Sequence, residues 1–160
     1  MFRNRIIRRT ALTVGITAAA LPLAVATPAL AAGAGAHQAP TSVAAAHTAT
    51  VGAVQRVDTF YNAYIDAVRS EDFTTADKLV AEYLSSRAQA DVESWQEANH
   101  ANGILHAQNV PDSATAVYEE TAAGTVYLHV DLQWGSGTST VEVRYSNVEG
   151  VITGISDPVS

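Results

Sequence analysis

Between residues 54 and 68 the apolar side chains return with a helical period. Val54, Val57, Phe60, Tyr61, Tyr64, Ile65 and Val68 make one stripe, while Arg56, Asp58, Asn62, Asp66 and Arg69 fall on the other side. This spacing predicts an amphipathic helix with one buried face. Thr74, followed three residues later by Asp77, has the form of a capping box and predicts a second helix with Leu79, Val80, Tyr83 and Leu84 as its apolar set. Ser86 with Gln89 opens a third in the same way, carrying Ala88, Val92 and Trp95, and Gly103 is its expected stop.

The period then changes to two. Residues 113–120, 125–134, 138–146 and 150–156 are β-rich runs separated by glycine-bearing turns. Connections this short between consecutive strands predict an antiparallel meander. Along 125–134, Leu128, Val130, Leu132 and Trp134 point one way and Tyr127, His129, Asp131 and Gln133 the other. The next run repeats the pattern, with Val141, Val143 and Tyr145 opposed to Thr140, Glu142 and Arg144. The fold class expected is α+β: three N-terminal helices packed on one face of a four-stranded antiparallel sheet, with the polar set on the open face.

The first thirty-one residues change the picture of where such a domain acts. Arg3, Arg5, Arg8 and Arg9 precede an uncharged run from Ala11 to Leu23, and Ala29-Leu30-Ala31 is an A-x-A cleavage pattern. Together they read as a signal peptide, 1–31, on a secreted protein, with no stable membrane anchor after cleavage. The Arg8-Arg9 pair also fits twin-arginine export, but the general secretory route is favoured because no Ser or Thr precedes the pair. Residues 32–50 are Ala, Gly, Thr and Ser with one Pro and no charge, a composition expected of a flexible spacer, and the domain is placed at 51–160. Loss of the leader leaves five basic against sixteen acidic residues, a formal charge of −11 with histidine neutral. Such a surface repels phosphate backbones, so nucleic acid is a poor partner. The chain has no cysteine, which excludes disulfides and thiolate metal sites.

Few patterns carry chemistry. There is no G-x-S-x-G elbow, P-loop, G-x-G-x-x-G or H-E-x-x-H, and no catalytic residue, metal or cofactor is assigned. His129 and Asp131 share a strand face as a base and its orienting carboxylate would, yet a flat face offers neither a pocket nor a pKa-shifting environment. His100 and His106 are spaced H-x5-H, outside the usual zinc spacings. Gln108 and Asn109 are expected to satisfy backbone groups where the last helix hands over to the sheet, with Pro111 stiffening the start of the first strand.

The order of elements, "FYNAY" at 60–64 and "ILHAQNVP" at 104–111 resemble the nuclear-transport-factor-2-like, or cystatin-like, superfamily. More narrowly they resemble a group of small exported bacterial proteins of unknown function, in which an Ala-Gln-Asn/Asp segment and a nearby proline recur. Ala107, Gln108, Asn109 and Pro111 match that pattern. Asn102-Gly103 stands where the group commonly has Asp-Pro, and the cysteine near His106 is missing. The resemblance implies a curved sheet closed into a cone, on a superfamily that holds isomerases, dehydratases, ligand carriers and association modules.

Two readings of function follow. In the first the protein is an exported, non-enzymatic binding or self-association module. It meets an unidentified protein, or a second copy in a homodimer, through Tyr127, His129, Asp131, Gln133, Glu142 and Arg144 on the open sheet face. In the alternative it is a small apolar ligand carrier or weak enzyme, holding its guest in the cone interior by Tyr61, Tyr64, Trp95 and Trp134. The first is favoured because a domain this small and without disulfides uses most of its apolar side chains for its own core.

Overall fold

The computed structural model describes residues 41–158; the expected leader and the spacer as far as residue 40 lie outside the described residues. Helices α1 (Thr41–Arg69), α2 (Phe73–Tyr83) and α3 (Ser86–Asn99) precede strands β1 (Ser113–Ala122), β2 (Thr125–Trp134), β3 (Gly137–Ser146) and β4 (Val151–Ser156). The strands form one antiparallel sheet in the order β1-β2-β3-β4. Helix α1 starts ten residues earlier than expected, so residues 41–50 are helical rather than spacer. They carry four alanines and neither glycine nor proline, and alanine is the best intrinsic helix former. No helix among the described residues is long and apolar enough to cross a membrane.

Alternation along the strands builds the core. Val126, Leu128, Val130 and Leu132 of β2 are buried with Val141, Val143 and Tyr145 of β3, facing Val57, Phe60, Tyr61, Tyr64 and Ile65 of α1. Trp134, expected to continue this stripe inward, is only half-buried at the end of β2. Its indole N–H donates to Ser139 Oγ at 2.7 Å. The β1–β2 turn is Ala123-Gly124, both at positive φ (49° and 82°). That conformation matches the twist of a two-residue hairpin, and glycine adopts it without strain.

The helix caps fall slightly away from their expected places. Asp72, rather than Thr74, caps α2, its carboxylate accepting from Thr75 N–H at 3.0 Å and Thr75 Oγ1 at 2.7 Å. These bonds hold the Asp72 carboxyl below its ordinary pKa. Ser85, one residue before the expected Ser86, caps α3 by accepting from Ala88 N–H, while the Gln89 amide donates back to Leu84 O. Helix α3 ends at His100, which takes the left-handed conformation (φ 52°) that Gly103 was expected to supply. Gly103 serves close packing instead: a Cβ there would stand 2.4 Å from Val92 O and 2.9 Å from Val92 Cγ1. The backbone oxygen has nowhere to go, so Gly103→Ala is expected to cost about 1–3 kcal/mol by overpacking. A urea midpoint equal to wild type would show that the connector yields freely.

One flank of α1 has a second role. Asn62, on the polar side, donates to Ala114 O at 3.0 Å and accepts from Ala114 N–H at 3.1 Å. Asp58 accepts from Ala116 N–H at 3.1 Å. These side chains stand in for a neighbouring strand along the outer edge of β1, where unpaired backbone groups would otherwise invite another chain. On the opposite side Arg56 donates to Gly150 O at 3.0 Å and lies over the Tyr83 ring at 4.5 Å. The far edge of the sheet is tied down by the α2–α3 link, Ser85 N–H bonding Ile152 O at 2.9 Å.

Candidate functional site

The helices all pack on one face, so the other face of the sheet has no covering element among the described residues. Tyr127, His129, Asp131 and Gln133 from β2, with Glu142 and Arg144 from β3, come together there. The register sets Tyr127 opposite Arg144 and His129 opposite Glu142. A register shift in β1 between Tyr118 and Glu120 adds two carboxylates. Glu119 reaches the ring of His129, its Oε1 2.9 Å from Nδ1, and Glu120 sits opposite Tyr127. An extra residue in an edge strand re-aims the side chains around it. Periodicity along the sequence does not mark such a shift, so spacing alone does not identify Glu119 as the histidine's partner.

His129 is therefore held between carboxylates. Its Nε2 lies 4.0 Å from Asp131 Oδ2, and Asp131 Oδ1 accepts from Thr140 Oγ1 at 2.9 Å. Glu119 thus holds one ring nitrogen at hydrogen-bond distance, and Asp131 lies at ion-pair distance from the other. Gln133 accepts from Thr138 Oγ1 at 3.0 Å. Arg144 lies flat over Gly154 on β4, where a Cβ would meet its guanidinium at 2.3 Å. The face is thus a set of fixed polar groups on a broad surface.

The four aromatic residues expected around an interior guest are dispersed. Tyr61 is fully buried and its hydroxyl donates to Ile104 O at 3.3 Å; burial pushes its pKa far up. The Tyr64 oxygen accepts from Asn102 Nδ2 at 2.9 Å, and burial raises that hydroxyl too. Trp134 is at the sheet end, and Trp95 is on the outer side of α3, where its ring stacks on His106 with centroids 3.9 Å apart. None of them lines either of two clefts in the surface. One, of about 650 Å³, is polar and lined by Gln96, His100, Asn102 and Gln108. The other, of about 700 Å³, lies between the start of α1 and the sheet, against Val51, Val54, Tyr118 and Asn147. Phe60 packs on Tyr61, Tyr64 and Tyr83 at once, so these rings close against one another as part of the core.

The 100–113 connector is organised by Asn102, not by Gln108 and Asn109, which are exposed. Asn102 Oδ1 accepts from the N–H groups of Ile104 and Leu105, and its backbone bridges to Ala107. Arg69 donates to the carbonyls of Pro111 and Asp112 and fixes the approach to β1. His100 and His106 diverge: His100 is exposed, while the His106 side chain is 4% exposed with Nδ1 2.6 Å from Asp157 Oδ1. Asp157 Oδ2 also accepts from the Trp95 indole N–H at 3.3 Å. Asp157 is 51 residues from His106 and 62 from Trp95 in sequence, so no local spacing revealed the cluster. Among the described residues no group of three or more His, Asp or Glu is arranged to hold a metal ion.

No family model matches the chain, and no curated protein matches it significantly. A solved structure of a protein of unknown function from Bacteroides thetaiotaomicron VPI-5482 is similar, with a TM-score of 0.59 and 21% identity over 71% of this chain and 95% of that one. At that identity the likeness is one of fold: three helices on a four-stranded antiparallel sheet.

Proposed function

We propose that this protein is an exported, non-enzymatic binding module whose contact surface is the open sheet face. The observation that carries the reading is the convergence of Tyr127, His129, Asp131, Gln133, Glu142 and Arg144 on one uncovered face. The charge on that face favours a basic protein partner over a second copy. Glu119, Glu120, Asp131 and Glu142 stand there against one guanidinium, Arg144. In a dimer through this face each copy would leave three carboxylates in excess, and desolvating an uncompensated charge costs several kcal/mol. A partner carrying lysines or arginines offsets that cost and is steered to the face from a distance. Within the same proposal the chain belongs to the nuclear-transport-factor-2-like superfamily with its curved cone. The order of elements and the 60–64 and 104–111 segments support that assignment.

The test is a titration of the mature chain with a lysine decamer, followed by amide chemical shifts. The largest shifts are expected on β2 and β3, and E119K/E142K should weaken binding at least about tenfold, 1.4 kcal/mol. A charge-matched pair on the exposed side of α3, E93K/E97K, should weaken it far less. Equal losses from the two pairs would mean that only total charge is sensed and would end the proposal. A concentration-dependent dimer abolished by H129E/R144E would make the partner a second copy.

A further inference from the structure

Three segments meet at one carboxylate. Helix α3 presents Trp95, the connector after it presents His106, and the residue following β4 is Asp157. The imidazole is stacked on the indole with 12° between the planes and is almost wholly covered, while the Asp157 side chain is 66% exposed. His106 also holds a positive φ of 48°, a conformation that costs a non-glycine residue energy and persists only where its surroundings enforce it.

We propose that Trp95, His106 and Asp157 form an acid-released clasp, which holds the chain after β4 against α3 and opens locally while the rest of the fold stays closed. The chemistry lies in the carboxylate. As an anion it accepts two hydrogen bonds, from His106 Nδ1 and Trp95 Nε1, and bonds of this kind are about twice as strong as neutral ones. His106 donates from Nδ1 both as the neutral Nδ1–H tautomer and as the cation, so its own protonation leaves the bond in place. Protonation of Asp157 weakens the pair, because the carboxyl loses its charge and keeps only its carbonyl oxygen as a good acceptor for two donors. Strand β4 has no titratable side chain, α3 carries Arg87, Asp91, Glu93 and Glu97, and Glu142 of β3 pairs with Ser156. The groups that hydrogen-bond Asp157 and set its titration are His106 and Trp95.

The hydrogen bond from His106 is the main cause that holds the Asp157 carboxyl below its ordinary pKa. The sign follows from linkage. A carboxyl with a folded pKa under its unfolded value of about 3.9 contributes its full stabilisation above that pH and loses it as the pH falls through the lowered value. The open clasp uncovers the Trp95 ring and frees Asp157 from α3 and the connector.

Indole hydrogen exchange tests this with an internal reference, because Trp134 donates to Ser139 and is outside the clasp. Exchange is followed at both indole N–H groups from about pH 7 to about pH 2, and the ratio of the two rates removes the intrinsic pH dependence. The Trp95 to Trp134 ratio is expected to rise in acid, by about tenfold for each pH unit that separates the closed-state and open-state pKa of Asp157. In Asp157→Asn the ratio should be high at neutral pH and flat. A wild-type ratio that never changes, including simultaneous loss of protection at both indoles, overturns the proposal. So does an acid step that survives in Asp157→Asn.

Discussion

Tyr61→Ala is expected to remove about 3–5 kcal/mol of stability, the usual cost of deleting a buried aromatic ring. Tyr61 is fully buried, its ring packs edge-on against Phe60 at 5.3 Å, and its hydroxyl satisfies Ile104 O. The truncation leaves a cavity and an unpaired carbonyl together. Against a total stability of about 5–15 kcal/mol this is a large share, visible as a melting temperature more than about 10 °C lower. Tyr61→Phe keeps the ring and should cost only about 1 kcal/mol. A loss below about 1 kcal/mol in the alanine variant would mean that the interior is hollow and already hydrated, which would restore the ligand-carrier reading.

The next largest effect is expected at the edge of β1. Asn62→Ala removes the donor and the acceptor that pair with Ala114, leaving both backbone groups of an edge strand without their partners. An unsatisfied group costs about 1–3 kcal/mol, and with water reaching part of this edge the pair should cost about 2–4 kcal/mol. The exposed edge should also become a template for other chains, so the variant is expected to associate through β1 at concentrations where wild type stays dispersed. Asn62→Asp separates the two effects, since it keeps an acceptor for Ala114 N–H and adds a charge that blunts edge pairing. Urea unfolding and sedimentation velocity read the two consequences independently. Wild-type stability together with wild-type dispersion in Asn62→Ala would show that solvent replaces the amide at no cost.

The same amide shows how far the sequence could be read. Periodicity assigns Asn62 and Asp58 to the polar side of α1, and that is correct. It does not say that this side abuts a strand edge, because the contact joins residues 52 apart. The alternation along β2 and β3 separated core from open face correctly from Leu128 to Leu132. At Trp134, the last residue of β2, the ring packs against the core but stays only half-buried.

The α+β class, the meander, the buried stripe of α1 and the polar strip on β2 and β3 are legible in the order of residues alone. Each is written in the spacing of side chains along a single element, whose geometry depends only on near neighbours. That Glu119 joins His129, that Asp157 closes on His106, and that the aromatic residues pack against one another or disperse follows from long-range contacts. Those outcomes depend on a register shift and on chain segments that meet after folding, and neither leaves a period in the sequence.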